Sequence, residues 1–161
     1  MSNTALLIVD VQNDFCKGGS LAVPRGDEVV PLLNAMIDLA EENKWVVVAS
    51  RDWHPKISSH FKGFGGKWAI HCVQGSNGAE FHKDLKLKKD GYVVSKGIHF
   101  GEQGYSVFDG TLRDNRLFGL FLKLVGINKL IVGGLATDYC VKETVLDARK
   151  HKLETIVLVD A

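Results

Sequence analysis

Ala5-Leu-Leu-Ile-Val-Asp10 is a short apolar run closed by an acid. Asp27–Lys44 follows, with Val29, Val30, Leu32, Leu33, Met36, Ile37 and Ala40 at helical spacing. Trp45-Val-Val-Val-Ala-Ser50 then repeats the apolar run. This is strand, helix, strand, and Pro31 fits the helix only in its first turn, where no N–H is needed. Tyr92–Ser95, Lys129–Gly133 and Thr155–Val159 have the same short, β-branched character, as expected of strands buried on both faces. Between them, Asp114–Val125 is predicted helical, with Leu117, Leu120, Phe121 and Leu124 inward and Gly126 as its stop. Asp138–Lys150 is a third predicted helix, with Val141, Val145 and Ala148 inward. Such alternation implies right-handed crossovers and a mostly parallel, doubly wound α/β sheet. With no repeat, linker or low-complexity stretch, residues 1–161 read as one domain.

Twenty Lys and Arg against nineteen Asp and Glu give a net charge of +1. That balance weighs against a nucleic-acid binder, which carries a basic excess. No apolar run approaches the ~18 residues of a membrane span, and Met1 to Ala5 carry no signal-peptide pattern. The odd set Cys16, Cys72 and Cys140 favours a reducing, cytoplasmic setting.

Arg51–Asp90 breaks the alternation: forty residues with at most one short helix, near Asn77–Leu85. Loops this long are usually functional or disordered, and Trp53, Phe61, Phe64, Trp68 and Phe81 make this one too aromatic for disorder. Parallel sheets bind ligands at the carboxyl ends of their strands. Asp10, Asp52, Lys96 and the run Gly134–Cys140 all follow strands and so converge on one rim. Asp52 and His54, with His60 and His71, offer one carboxylate and three imidazoles, a set suited to zinc, manganese or iron rather than calcium. Taken alone, each histidine reads first as a loop residue making ordinary hydrogen bonds, and it is the set, with an Asp two residues from a His at a strand end, that points to a metal. His82, His99 and His151 lack such company and are taken as surface or packing residues.

Cys140 stands at a strand-to-helix junction, with Asp138 as a plausible N-cap. A helix start lowers a thiol pKa, and the small residues before it let backbone N–H groups approach an anion. A small buried hydrophobe is the alternative. In a doubly wound order, Asp10 and Lys96 are expected on strands neighbouring Cys140, the one to take a proton and the other to offset charge.

Ile8-Val-Asp-Val-Gln-Asn-Asp-Phe15 resembles the opening motif of the isochorismatase-like cysteine hydrolases. Gly18–Val23, Ser50-Arg-Asp-Trp-His-Pro55, Ser58-Ser-His60, Trp68–Gly75 and Gly134–Val141 are similar to their nicotinamidase (pyrazinamidase) branch. The resemblance implies a three-layer α/β/α fold and hydrolysis of nicotinamide to nicotinic acid and ammonia through a cysteine thioester, within NAD salvage. It implies a triad of Asp10, Lys96 and Cys140 and a metal held by Asp52, His54, His60 and His71, with zinc favoured and iron or manganese as alternatives. It makes Phe15 and Trp68 the walls for the pyridine ring. Ala136 also touches substrate, and the backbone N–H groups of Ala136 and Cys140 form the oxyanion hole. A cis Leu135–Ala136 peptide is expected. Relatives usually continue into another helix and strand beyond Ala161. The expected partner is a small amide, with no nucleic acid or membrane, and a homo-oligomer is left open. The other readings are an amidohydrolase of the same family acting on a carbamoyl or ureido substrate, and a non-enzymatic small-molecule binding protein.

Overall fold

The structure, a computed structural model, describes residues 3–161, so the reading of the opening residues lies partly outside the described residues. Six strands form one sheet: β1 (Thr4–Val9), β2 (Val46–Asp52), β3 (Tyr92–Lys96), β4 (Thr111–Leu112), β5 (Lys129–Gly134) and β6 (Glu154–Val157). Their order is β4-β3-β2-β1-β5-β6, parallel throughout except for the antiparallel β4. Helix α1 (Val29–Glu42) covers one face; α2 (Phe118–Leu124) and α3 (Lys142–Lys150) cover the other. The fold is a three-layer α/β/α sandwich.

Two apolar cores follow from the alternation of side chains along the strands. Leu6, Ile8, Ala49 and Ile131 meet Val30, Leu33 and Ile37 of α1. Ala5, Leu7, Val9, Val48 and Val132 meet Phe118, Phe121, Leu122 and Ala148. Strand β1 lies wholly buried at the centre, which is why its run has no polar alternation. The chain leaves β1 toward β2 and β3, then returns on its other side to β5. The crevice between the ends of β1 and β5 is therefore the topological switch point, where open α/β sheets take ligands.

Several expectations need correction. Helix α2 starts only at Phe118, because the residues before it form β4 and a turn. Its inner face is Phe118, Phe121 and Leu122, while Leu117, Leu120 and Leu124 are 54%, 48% and 62% exposed. The two aromatic rings bury more area than leucines would, and they set the helix's rotation. Gly126 does end the helix region, at φ +77. Helix α1 follows a 3-10 turn at Gly26–Glu28, and Leu32 is exposed on its flank. Asn77–Leu85 holds only a 3-10 turn, at Asn77–Ala79. Asp138 is not an N-cap: Thr137–Val141 forms a π turn preceded by Ala136. The Leu135–Ala136 peptide is cis, as expected. No helix among the described residues is long and apolar enough to cross a membrane.

Candidate active site and metal centre

Lys96 is at the centre of the rim and has no exposed surface. It ends β3, which is separated from β5 by β2 and β1. The expectation that Lys96 stands on a strand neighbouring the Cys140 junction is therefore corrected for the strand, although the side chain still reaches the thiol. At about 4.8 Å per strand, only a side chain as long as lysine bridges from β3 to the end of β1. Its Nζ donates to the Gly104 carbonyl at 2.6 Å and to Asp52 Oδ1, and forms an ion pair with Asp10 Oδ2 at 2.7 Å. It also lies 3.4 Å from Cys140 Sγ. Ser50 Oγ donates to Asp10 Oδ1 at 2.7 Å.

Burial sets the charges here. Burial alone would discharge Lys96, but Asp10 and Asp52 hold its pKa well above the ordinary lysine value. Burial would also raise Asp52, yet the Lys96 ammonium holds it well below the usual carboxylate range. Asp10 and Cys140 behave differently. Burial pushes both up against the pull of Lys96, the thiol strongly so. The expected helix-start lowering of the Cys140 thiol is thus overruled by desolvation. A proton passing from thiol to Asp10 moves charge within one buried site instead of creating it.

Asp52 Oδ2 faces the other way, 3.4 Å from His54 Nε2 and 3.6 Å from His71 Nε2. His54 Nδ1 donates to the Gly97 carbonyl at 3.0 Å, and His71 Nδ1 to the Ala69 carbonyl at 2.7 Å. A carbonyl only accepts, so in the neutral rings both Nε2 atoms carry lone pairs. Lone pairs then confront a carboxylate oxygen, and His54 Nε2 is buried without a hydrogen-bond partner. His60 closes the group, its ligand atom within 4.8 Å of those of His54 and His71. Burial and the neighbouring His54 lower the His60 pKa to about 4, which keeps that imidazole neutral. A divalent cation satisfies this acceptor-only set, and the residues fit one. Phe61, fully buried, packs edge-on against His54 and His71 at 5.5 Å and forms a dry floor.

A cavity of about 260 Å³ opens onto both clusters. Phe15, Trp68, Ala136 and Cys140 line it, as expected, with Asp52, His60 and His71. Sequence reasoning missed Tyr105 and Tyr139, which also line it. Trp68 donates its indole N–H to the Tyr105 hydroxyl at 2.9 Å and meets Tyr139 edge-on at 4.9 Å. Also missed was Gln12, fully buried, which exchanges 2.8 Å hydrogen bonds with the backbone of Asp52 and so fixes that carboxylate's height. Its place in the Val-Gln-Asn-Asp motif was the available signal. Cys16 and Cys72 are buried packing residues away from the cavity, and His82, His99 and His151 lie outside both clusters. A larger hollow of about 470 Å³ lies at the opposite ends of β2 and β3, lined by Ile37, Trp45 and Tyr92, away from the rim.

The metal reading carries a direct test. His54→Ala and His71→Ala each remove a lone pair and its carbonyl-anchored orientation. The metal content of the purified variants, by elemental analysis, is expected to fall from about one divalent ion per chain to a small fraction of that. A variant that keeps the full metal content contradicts the ligand set.

The isochorismatase domain family matches residues 4–161. The nicotinamidase of Escherichia coli strain K12 is 41% identical over 99% of this chain and 83% of its own length. The nicotinamidase/pyrazinamidase of Mycobacterium tuberculosis strain H37Rv is 42% identical over 97% of this chain and 84% of its own. Among solved structures, the pyrazinamidase of Pyrococcus horikoshii in complex with zinc superposes with a TM-score of 0.92. It is 39% identical, over 99% of this chain and 86% of that one.

Proposed function

This chain belongs to the isochorismatase family, and from that membership we infer its reaction: it is a metal-dependent amidohydrolase that converts nicotinamide to nicotinic acid and ammonia. The observation that carries the reading is the buried group Asp10–Lys96–Cys140 opening onto the same cavity as the histidine set.

Phe15 and Trp68 hold the flat ring between them. Asp52, His54, His60 and His71 would hold a divalent transition metal, zinc favoured with iron or manganese as alternatives for such nitrogen and carboxylate donors; when bound it would supply a Lewis acid for the ring nitrogen. Asp10 accepts the Cys140 proton as the sulfur attacks the amide carbon. The backbone N–H groups of Ala136 and Cys140 take the developing oxyanion. Asp10 returns its proton to the departing nitrogen, and ammonia leaves a thioester. Asp10 then accepts a proton from water as water attacks that thioester. Nicotinic acid departs as the carbon–sulfur bond breaks, and Asp10 passes that proton to the Cys140 sulfur, which restores the thiol and the carboxylate. Lys96 keeps Asp10 oriented and offsets negative charge at each stage.

Ammonia release on nicotinamide, with metal analysis of the same sample, tests the assignment. Ring selectivity tests its parts. Pyrazinamide keeps a ring nitrogen meta to the ring carbon that bears the carboxamide and is expected to be hydrolysed. Benzamide offers no nitrogen, and its kcat/KM is expected to fall at least about 100-fold through lost orientation. Trp68→Ala is expected to weaken nicotinamide and pyrazinamide together, since stacking is indifferent to the second nitrogen. Equal kcat/KM for benzamide and nicotinamide would mean the metal does not position the ring.

A further inference from the structure

The segment from Gly97 to Ser106 touches the metal side, the buried lysine and the cavity wall. The Gly97 carbonyl receives His54 Nδ1–H. The Phe100 carbonyl receives both the amide and the hydroxyl of Ser59, each at 2.9 Å, immediately before His60. The Gly104 carbonyl receives Lys96 Nζ, and the Tyr105 hydroxyl receives the Trp68 indole. One loop therefore seats a metal-side imidazole, the neighbour of another, the buried ammonium and a wall of the cavity.

The loop closes on itself. Glu102 Oε2 accepts the amides of Ile98 and His99 at 2.8 and 3.2 Å. Gly104, at φ +67, lies so close to Gly97 that a Cβ on it would stand 2.7 Å from the Gly97 nitrogen. Its far end is fastened to α3. Thr144, with no exposed surface, accepts the Val107 amide on Oγ1 at 3.0 Å. Thr144 lies four residues beyond Cys140 on the same continuous run of helical turns.

We propose that Thr144 is a positioning residue for the reaction: its hydroxyl sets where the Gly97–Ser106 loop sits relative to Cys140, and so aligns the metal cage, Lys96 and the ring wall with the nucleophile. The inference rests on the nicotinamidase reading for the reaction it tunes. Thr144 touches no reacting atom and acts through Gly104 and Tyr105 on one side and Gly97 on the other.

Thr144→Val keeps the shape but strips the buried Val107 N–H of its acceptor; Thr144→Ser keeps an acceptor. The zinc-loaded full chain is assayed for kcat and KM on nicotinamide, for zinc affinity by chelator competition, and for Tm. Thr144→Val is expected to lower kcat about tenfold and to weaken zinc binding several-fold, and Thr144→Ser to restore both. A Thr144→Val protein with lowered Tm but unchanged kcat and zinc affinity overturns the proposal. Glu102→Ala, which opens the loop from its solvent side, is read in the same way: joint loss of kcat and zinc affinity supports the coupling, and no change in either overturns it, even where the valine variant does not fold. A wild type that binds zinc without hydrolysing nicotinamide removes the reaction reading, and the zinc affinities then decide the loop's role.

Discussion

Cys140→Ala is expected to abolish ammonia release from nicotinamide, by at least about 10⁴-fold in kcat, while secondary structure and metal content stay at wild-type levels. The expectation follows from placement. Cys140 is the thiol on the cavity wall, 3.4 Å from Lys96 Nζ and grouped with Asp10. Cys16 is 2% exposed and Cys72 has no exposed surface, and neither lines the cavity nor joins the group with Asp10 and Asp52. Neither can substitute. Iodoacetamide is accordingly expected to label Cys140 first, at a rate set by proton transfer to Asp10, and nicotinamide is expected to protect it. Retained turnover in the alanine variant would refute thioester chemistry, and peptide mapping would locate the nucleophile in its place.

The second large effect belongs to Lys96→Met. Methionine matches the length and loses the charge, so Asp10 and Asp52 are left as two buried carboxylates with no cation between them. Removing one partner of a buried ion pair costs about 3–5 kcal/mol, roughly 6–20 °C in Tm for a chain of this size. Turnover is expected to vanish with it, because Asp10 then takes up a proton and no longer accepts one from the thiol. Thermal unfolding of metal-loaded samples is the measurement. A Lys96→Met protein as stable as the wild type would mean that Lys96 does not hold the two carboxylates together.

The sheet was legible because its strands are buried on both faces. A continuous apolar run such as Ala5–Val9, bounded by Thr4 and Asp10, is too short for a buried helix and too apolar for a loop. The rim was legible because acids and a lysine at strand ends stand out against those runs. Helix α2 was read correctly only at Phe121: a leucine spacing in Leu117, Leu120 and Leu124 competed with the stripe of Phe118, Phe121 and Leu122 that is buried. Periodicity does not say which apolar stripe the sheet will take. The two-residue β4 is too short to carry a pattern. Tyr105 and Thr144 were missed because each acts through a partner thirty-seven positions away in the chain, so nothing local marks them; Gln12 also acts over a distance of forty positions, and only its motif pointed to it.

The two oxygens of Asp52 serve different masters, one the lysine and the other the histidines. That division constrains how such a chain can drift over evolutionary time. A lineage abandoning its metal can lose His54, His60 or His71 one at a time, since each substitution empties the cage without unbalancing the charge around Lys96. Asp52 is not expendable in the same way. Its loss would strip the cage and leave the buried ammonium with a single carboxylate partner, so a neutral residue there becomes tolerable only after a new anion has arrived to face Lys96. Metal-independent descendants of this architecture would therefore be expected to keep an acid at this position after their histidines have gone.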